Sequence, residues 1–324
     1  MKHLFIPALA AGFSILLFWG TCPADTSGQP APVPYKKAVP FGLITSLELS
    51  EVSGLAVSRK TPGLLWAIND SGNPPEVYGL STKGALLKTY KIGRAMNWDW
   101  EDLSGFRYKG EDFLVIADVG DNWSNRPFNT LYCVKEPAPD SRSGVLPLEW
   151  AMTFRYENGP LDCEAVAVDA KHQKIYLLSK RTAIPILYEL PLDMPCKKSM
   201  YTARAVARIR SGSRPDPKGQ KQTVANFRSR PTAMDISAGG NTLYILTYTY
   251  AYIYSRAPDR TWDTAFSKPP LRIILPPPSR AMAQREALGL DHTSGNIFIT
   301  SEKAPAPIYM AAPISPPPHG SDEQ

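Results

Sequence analysis

Residues 162–168, Asp162-Cys163-Glu164-Ala165-Val166-Ala167-Val168, place a polar residue and a small one at the head of a short apolar run. The pattern recurs. It stands at Ser53-Gly54-Leu55-Ala56-Val57, Glu101-Asp102-Leu103-Ser104-Gly105, Glu164-Ala165-Val166-Ala167-Val168, Thr232-Ala233-Met234-Asp235-Ile236 and Glu286-Ala287-Leu288-Gly289-Leu290, at intervals of 48, 63, 68 and 54 residues. A second apolar run follows each copy: Leu64–Ile68, Phe113–Ala117, Ile175–Leu178, Leu243–Leu246 and Ile297–Thr300. A third run carries Tyr78, Tyr132, Tyr188, Tyr254 or Tyr309, and in four copies a fourth follows. Short strands in a fixed order, repeated along the chain, predict an all-β fold, a β-propeller of four-stranded blades.

The last unit lacks its fourth run, and Phe41–Leu49 is left over before the first. Set on the outside of the last unit, that segment closes the ring and covers an open edge, which gives five blades. Six is the alternative, with a further blade hidden in the second or third interval. A β-sandwich also has many short strands, but it does not explain one motif in five places.

The 324 residues are 43% apolar and 20% charged, enough apolar side chain to build a core and exclude general disorder. Behind Lys2, residues 4–19 form an uncharged apolar run that reads as part of a signal peptide over 1–24, leaving Asp25 as the first mature residue. Trp19-Gly20-Thr21-Cys22 is a poor lipobox. With no second long apolar run, the expectation is an exported protein, periplasmic or extracellular, with no membrane span. Residues 25–40 read as a Pro-rich linker, 41–310 as the propeller and 311–324 as a disordered Pro-rich tail. Export leaves Cys133, Cys163 and Cys196: one disulfide with a free thiol, or three buried small hydrophobes. Net charge is +6, yet residues 204–230 alone hold eight basic residues against Asp216. The positive charge is local, which argues against a nucleic-acid partner. That stretch reads as a solvated insertion or as an attractor of anionic ligands.

In a propeller the start of each first strand and the end of each second strand meet at one mouth. Ser53, Glu101, Glu164, Thr232 and Glu286 are expected there, preceded by Glu51, Asp99, Asp162, Arg230 and Gln284. The loops Asn69-Asp70-Ser71-Gly72, Asp118-Val119-Gly120-Asp121-Asn122, Ser179-Lys180-Arg181, Thr247-Tyr248 and Ser301-Glu302-Lys303 join them. So many carboxylates repel unless cations neutralise them or protons remain bound. Ca²⁺, which takes six to eight oxygens, suits the place, and Asp118, Asp121 and Asn122, linked through Gly120, form an oxygen-rich loop for it. Glu101, Glu164, Lys180, Glu286 and Lys303 are the candidate catalytic groups; Asn69, Asp70, Asp99, Asp162 and Arg230 are candidates for ligand binding. The alternative is that these acids bond backbone amides of the neighbouring blade and hold the ring together. His172 and His292 fall after first strands, away from the mouth, which argues against a Ser-His-Asp or histidine-rich zinc site. Trp98, Trp100 and Trp123 flank the rim; packing between blades is their expected role, with stacking on a sugar or base the alternative. The sequons Asn69-Asp70-Ser71 and Asn122-Trp123-Ser124 fall in tight loops, where modification is not expected.

Asn69-Asp70-Ser71-Gly72, Asp99-Trp100-Glu101-Asp102-Leu103, Asp118 to Asn122 with Arg126, and Asp162-Cys163-Glu164-Ala165 together resemble a group of exported bacterial propellers related to TolB-like and phytase-like propellers. The resemblance covers about residues 45–310. It adds Arg126 to the ligand-binding set. The phytase-like relatives imply Ca²⁺-dependent phosphoester hydrolysis in an acidic funnel, and the TolB-like ones a non-catalytic platform for protein or glycan partners. The functional expectation is an acidic funnel that binds a divalent cation and a small anionic ligand, with phosphoester hydrolysis the activity implied; a scaffold is the alternative.

Overall fold

The computed structural model describes residues 33–194, 196–209, 230–277 and 284–314. The expected signal peptide, most of the basic stretch and residues 315–324 of the Pro-rich tail lie outside the described residues; the start of that tail, read as disordered, instead pairs with the N-terminal segment, Pro313 facing Tyr35. Among those described, no helix is long and apolar enough to cross a membrane.

The chain enters through β1 (Val39–Ile44). A first antiparallel run follows, β2 (Val52–Val57), β3 (Leu64–Asn69), β4 (Glu76–Ser81) and β5 (Leu86–Ile92). The second run is β6 (Trp100–Tyr108), β7 (Glu111–Asp118) and β8 (Asn129–Lys135), which passes over β9 (Gly144–Leu146) to end on β10 (Trp150–Tyr156). β9 lies parallel to β5 and becomes a fifth strand of the first sheet. The third run is β11 (Cys163–Asp169), β12 (Lys174–Ser179), β13 (Ile186–Pro191) and β14 (Tyr201–Arg208). β14 pairs in parallel with β10, Phe154 facing Tyr201 and Tyr156 facing Ala203, so the second and third runs share one eight-stranded sheet. β15 (Pro231–Ile236), β16 (Thr242–Thr247), β17 (Ala251–Ser255) and β18 (Leu271–Ile273) make a separate sheet, with the short α1 (Trp262–Phe266) before β18. Finally β19 (Arg285–Leu290), β20 (Ile297–Ser301) and β21 (Ala306–Ala311) are completed by β1, whose Val39 faces Met310 and Ile44 faces Ala306.

The first strands β2, β6, β11, β15 and β19 pack each against the next, and β19 returns to β2. A nearly all-β chain around a closed ring of first strands fits a β-propeller. The motif's small residues are explained by this ring. A Cβ on Gly54 would lie 2.6 Å from the Leu103 amide nitrogen of the neighbouring strand, and one on Gly289 would lie 3.2 Å from Leu55 O. Apolar faces fill the wedges farther out: Trp66, Leu103 and Ile116 in one, Phe154, Val166 and Tyr188 in the next.

The N-terminal strand is shorter than the sequence implies and starts earlier. β1 stops at Ile44, and Leu47–Leu49 forms a 3-10 turn whose Ser46 hydroxyl accepts from Glu48 N. Residues 33–38, read as linker, already lie on the closing sheet: the Tyr35 hydroxyl donates to Gly295 O at 2.7 Å and Ala38 is buried. The surplus length of the second interval goes into β9 and its loops, and among the described residues neither long interval forms a sheet of its own. Cys133, Cys163 and Cys196 are all free thiols, the first two buried in the core between the second and third runs.

Candidate functional site

Each first strand carries one residue too many for its partner. The register shifts between Val52 and Gly54, Trp100 and Asp102, Cys163 and Ala165, Pro231 and Ala233, and Arg285 and Ala287. The extra residue is the motif's polar one: Ser53, Glu101, Glu164, Thr232 and Glu286. A β-bulge re-aims the side chain it carries, and here five of them stand at one end of the ring, all buried. Beyond the bulges the ladders continue for one more bond, so that Asp70 N–H donates to Glu51 O, Val119 N–H to Asp99 O, Lys180 N–H to Asp162 O and Glu302 N–H to Gln284 O. The two rows of loop residues expected at the mouth are thereby brought together.

Hydroxyl and carboxylate copies behave differently. Ser53 Oγ donates to Trp100 O at 2.8 Å and Thr232 Oγ1 to Arg285 O at 2.7 Å, tying each strand to the next in the ring. The three glutamates gather instead around one buried ammonium. Lys180 Nζ lies 2.6 Å from Glu164 Oε2 and 5.4 Å from the centre of the Tyr248 ring. Burial opposes the charge on Lys180, but Glu164, Glu286 and Glu101 together hold it well above the ordinary lysine range. The carboxyls move the same way for a different reason. Burial, with Glu164 and Asp70 nearby, pushes Glu101 well above the usual carboxylate range. Burial, with Glu164 and Glu302 adding, does the same to Glu286, whose Oε2 is buried with no hydrogen-bond partner.

Farther out, burial with the nearby charges of Asp99, Glu164 and Glu302 raises Asp70 to about 7, and burial also raises Asp99 and Glu302. Among the described residues two groups of three acids result, Asp70 with Asp99 and Glu101, and Glu101 with Asp162 and Glu164. Within each group one oxygen from every residue lies within 4.8 Å of the others, and Glu101 belongs to both. Gly120 backs this arrangement. Its φ is not left-handed, so the need is for space, because a Cβ there would collide with Glu101 Oε1 and Asp99 Oδ2. Replacing Gly120 with Ala is expected to cost about 1–3 kcal/mol through overpacking, read as a fall in the urea midpoint.

The oxygen-rich loop expected to ligate Ca²⁺ is taken up by donors of its own chain. Asp118 accepts from the amides of Trp98 and Asp99 and, at 2.8 Å, from Arg126 Nη2. Asp121 accepts from the amides of Asn125 and Arg126 at 2.9 and 2.8 Å. Asn122 Oδ1 accepts from Arg181, whose Nε also donates to Asp162 Oδ2 at 2.6 Å. Arg126 further donates to Gly120 O. These residues build the loop that stands beside the acid groups. Asn69 is buried with its amide donating to Glu48 O at 2.6 Å, so it supports the rim and is closed to modification. Lys303, whose amide donates to Ser50 O, is exposed at the mouth, and Arg230, just before β15, is half-buried. Of the tryptophans, Trp100 is buried as expected, but Trp98 and Trp123 are 63% and 86% exposed and do not pack between sheets. His172 binds Asp169 at 2.7 Å, at the other end of β11 from the acid groups.

Two residues escaped the sequence reading. Asp102 Oδ2 accepts from Val166 N at 2.8 Å and Met234 N at 3.1 Å, while Oδ1 accepts from Leu103 N, so one carboxyl joins three first strands. Asp235 does the same between two, taking Leu290 N at 2.9 Å and Ile236 N at 2.7 Å. The signal for both was present: where the other four copies have Gly54, Ala165, Ala233 and Ala287, the second has Asp102, and Asp235 stands where the others have Ala56, Ser104, Ala167 and Gly289.

No family model matches the chain, and a search of curated proteins finds no match. Among solved structures, it is similar to a chain of a nidogen/laminin complex at 11% identity and TM-score 0.42, covering 77% of this chain and 72% of that one. The PQQ-bound aldose sugar dehydrogenase of Streptomyces coelicolor aligns at 9% identity and TM-score 0.43, over 88% and 99% of the two chains. A 6-phosphogluconolactonase-like protein of Bacteroides uniformis gives 12% and 0.38 over 80% and 67%.

Proposed function

We propose that this chain is an exported, five-bladed propeller whose axial acid groups hold a divalent cation and, through it, a small ligand. The blade count is supported by the five first strands that succeed each other around the ring, the β10–β14 pairing being read as a joint between two neighbours. Export rests on the reading of residues 1–24.

One observation carries the cation: Glu101 belongs to two groups of carboxylates, each with oxygens within 4.8 Å of one another. Ca²⁺ takes six to eight oxygens in irregular shells, whereas Mg²⁺ demands near-ideal octahedral geometry and gives up its water reluctantly. Ca²⁺ is therefore the favoured ion. A buried Glu286 oxygen with no partner adds an acceptor beside the same cluster. Once bound, a cation of this kind would supply charge for holding an anionic group such as a phosphoester. Lys180, one of the candidate catalytic groups, is paired with Glu164, which favours binding over hydrolysis.

A scaffold reading has its own support in Asp102 and Asp235, acids that hold strands together. Thermal melts in EDTA, followed by Ca²⁺ and Mg²⁺ titration, separate the two. An ion bound only by the native state at 100 times its Kd adds about 2.7 kcal/mol. The expected result is a saturable rise in Tm, larger for Ca²⁺, that Glu101→Gln abolishes. A flat titration would make the acids joining groups and leave the scaffold.

A further inference from the structure

Beside the acid groups two indole rings stand in water, Trp98 and Trp123. Aromatic surface of this size, left exposed at a mouth lined with polar groups, marks a contact surface more often than an accident of packing. Both rings sit on loops that are held in place. Asp118 accepts the Trp98 and Asp99 amides and also binds Arg126, which anchors the loop bearing Trp123. Trp100 Nε1 donates to Met96 O at 2.9 Å and Asn97 Oδ1 accepts from Trp100 N, fixing the first loop from beneath. Asp121 closes the second loop through the amides of Asn125 and Arg126. Rings presented on rigid loops lose little entropy when a ligand stacks on them.

The surroundings narrow the ligand. Exposed amides and a hydroxyl accompany the rings, from Asn122, Ser124 and Asn125, so the patch is not the continuous apolar core that a protein partner usually covers. The cations hydrogen-bonded to the loop bearing Trp123, Arg126 and Arg181, are bound to Asp118 and Asp162, so neither offers an unopposed charge to an acidic ligand, and the exposed Lys303 stands on the separate loop after β20. The carboxyl groups behind them repel nucleic acid. A mixture of donors and acceptors beside flat aromatic faces matches a polyol.

We propose that the mouth of the ring binds a neutral carbohydrate, a pyranose face stacking on Trp98 or Trp123 while its hydroxyls bond the neighbouring amides and the Asp70 and Asp99 carboxyls. The electron-rich indole face attracts the polarised C–H groups of the sugar. This goes beyond the cation reading and does not require it.

The test is calorimetric titration of the protein in EDTA with neutral oligosaccharides (cello-, malto-, chito- and manno-hexaose) and, in parallel, with pentalysine. The expected result is saturable binding of at least one oligosaccharide, weakened about tenfold or more in Trp98→Ala and Trp123→Ala, with Tm unchanged in both. Trp98→Phe is expected to retain most of the affinity. No binding by any oligosaccharide, or binding untouched by either substitution, would overturn the proposal. Pentalysine binding lost in the same variants, with the sugars silent, would also overturn it and identify a basic peptide as the occupant. Because EDTA is present throughout, failure here leaves the cation reading standing, and failure of the cation titration leaves this one.

Discussion

Lys180→Met is expected to destabilise the protein by about 3–5 kcal/mol at pH 8, the usual cost of leaving a buried charge unpaired. For a domain of this size that is a fall in Tm of roughly 10 °C. The reason lies in what surrounds the ammonium: Glu164 at 2.6 Å, with the Glu286 and Glu101 carboxyls facing the same charge. Methionine keeps the stem and removes the only cation in contact with Glu164 among the described residues. The effect should shrink at pH 5. Glu101, Glu164, Glu286 and Asp70 have pKa values raised in the folded state, Asp70 to about 7. The folded protein therefore binds more protons than the unfolded chain from about pH 4 upward. The stability these groups contribute is complete below their unfolded pKa values and is lost as pH rises through the folded ones. In EDTA the wild-type protein should melt higher at pH 5 than at pH 8. Lys180, also raised, loses its contribution only above its unfolded value near 10.4, so it adds no slope in this window. A Lys180→Met, Glu164→Gln double variant should lose less than the sum of the single losses. Additive losses, or a melt that is higher at pH 8 in EDTA, would remove the electrostatic account.

Asp102→Ala should cost about 2–6 kcal/mol in urea denaturation. It strips the acceptor from two buried amides on other strands, Val166 N and Met234 N, and from its neighbour Leu103 N. Each buried donor left unsatisfied costs about 1–3 kcal/mol. Asn at this position keeps one acceptor oxygen but turns an NH2 toward donors, so partial recovery is expected. The folded fraction of either variant should respond to Ca²⁺ as wild type does, since Asp102 belongs to neither acid group. A cost below about 1 kcal/mol for Ala would mean that water replaces the carboxyl, and the joint across the ring would lose its importance.

What the sequence could convey depended on whether a residue's partner was implied by the repeat. The five polar motif positions were legible because every copy repeats them, and each one stands on a bulge. The ring closure by the N-terminal strand followed from a missing run in the last unit. The loop at Asp118 and Asp121 was read as oxygen-rich, which it is, but the donors that occupy those oxygens are backbone amides, and composition does not register them. Nor did the repeat foretell the parallel pairing of Phe154–Tyr156 with Tyr201–Ala203, since it joins outer strands of neighbouring units that no motif links. Trp98 and Trp100 differ by two positions and by nearly their whole exposure. Only the turn of the chain before β6, fixed by Asn97 and Asp118, separates them.

The closing sheet imposes an order on synthesis. Among the described strands β1 leaves the ribosome before the others, and its partner β21 lies about 270 residues later, Val39 opposite Met310. Until β19, β20 and β21 are made, β1 has no sheet to join and β2 lacks the β19 neighbour that completes the ring. Intermediate chains thus carry an unpaired edge at each end of a growing arc, the kind of surface that invites association with other chains. Moving residues 33–44 to follow residue 314 would let the last sheet form by local contacts, and such a permuted chain should refold faster.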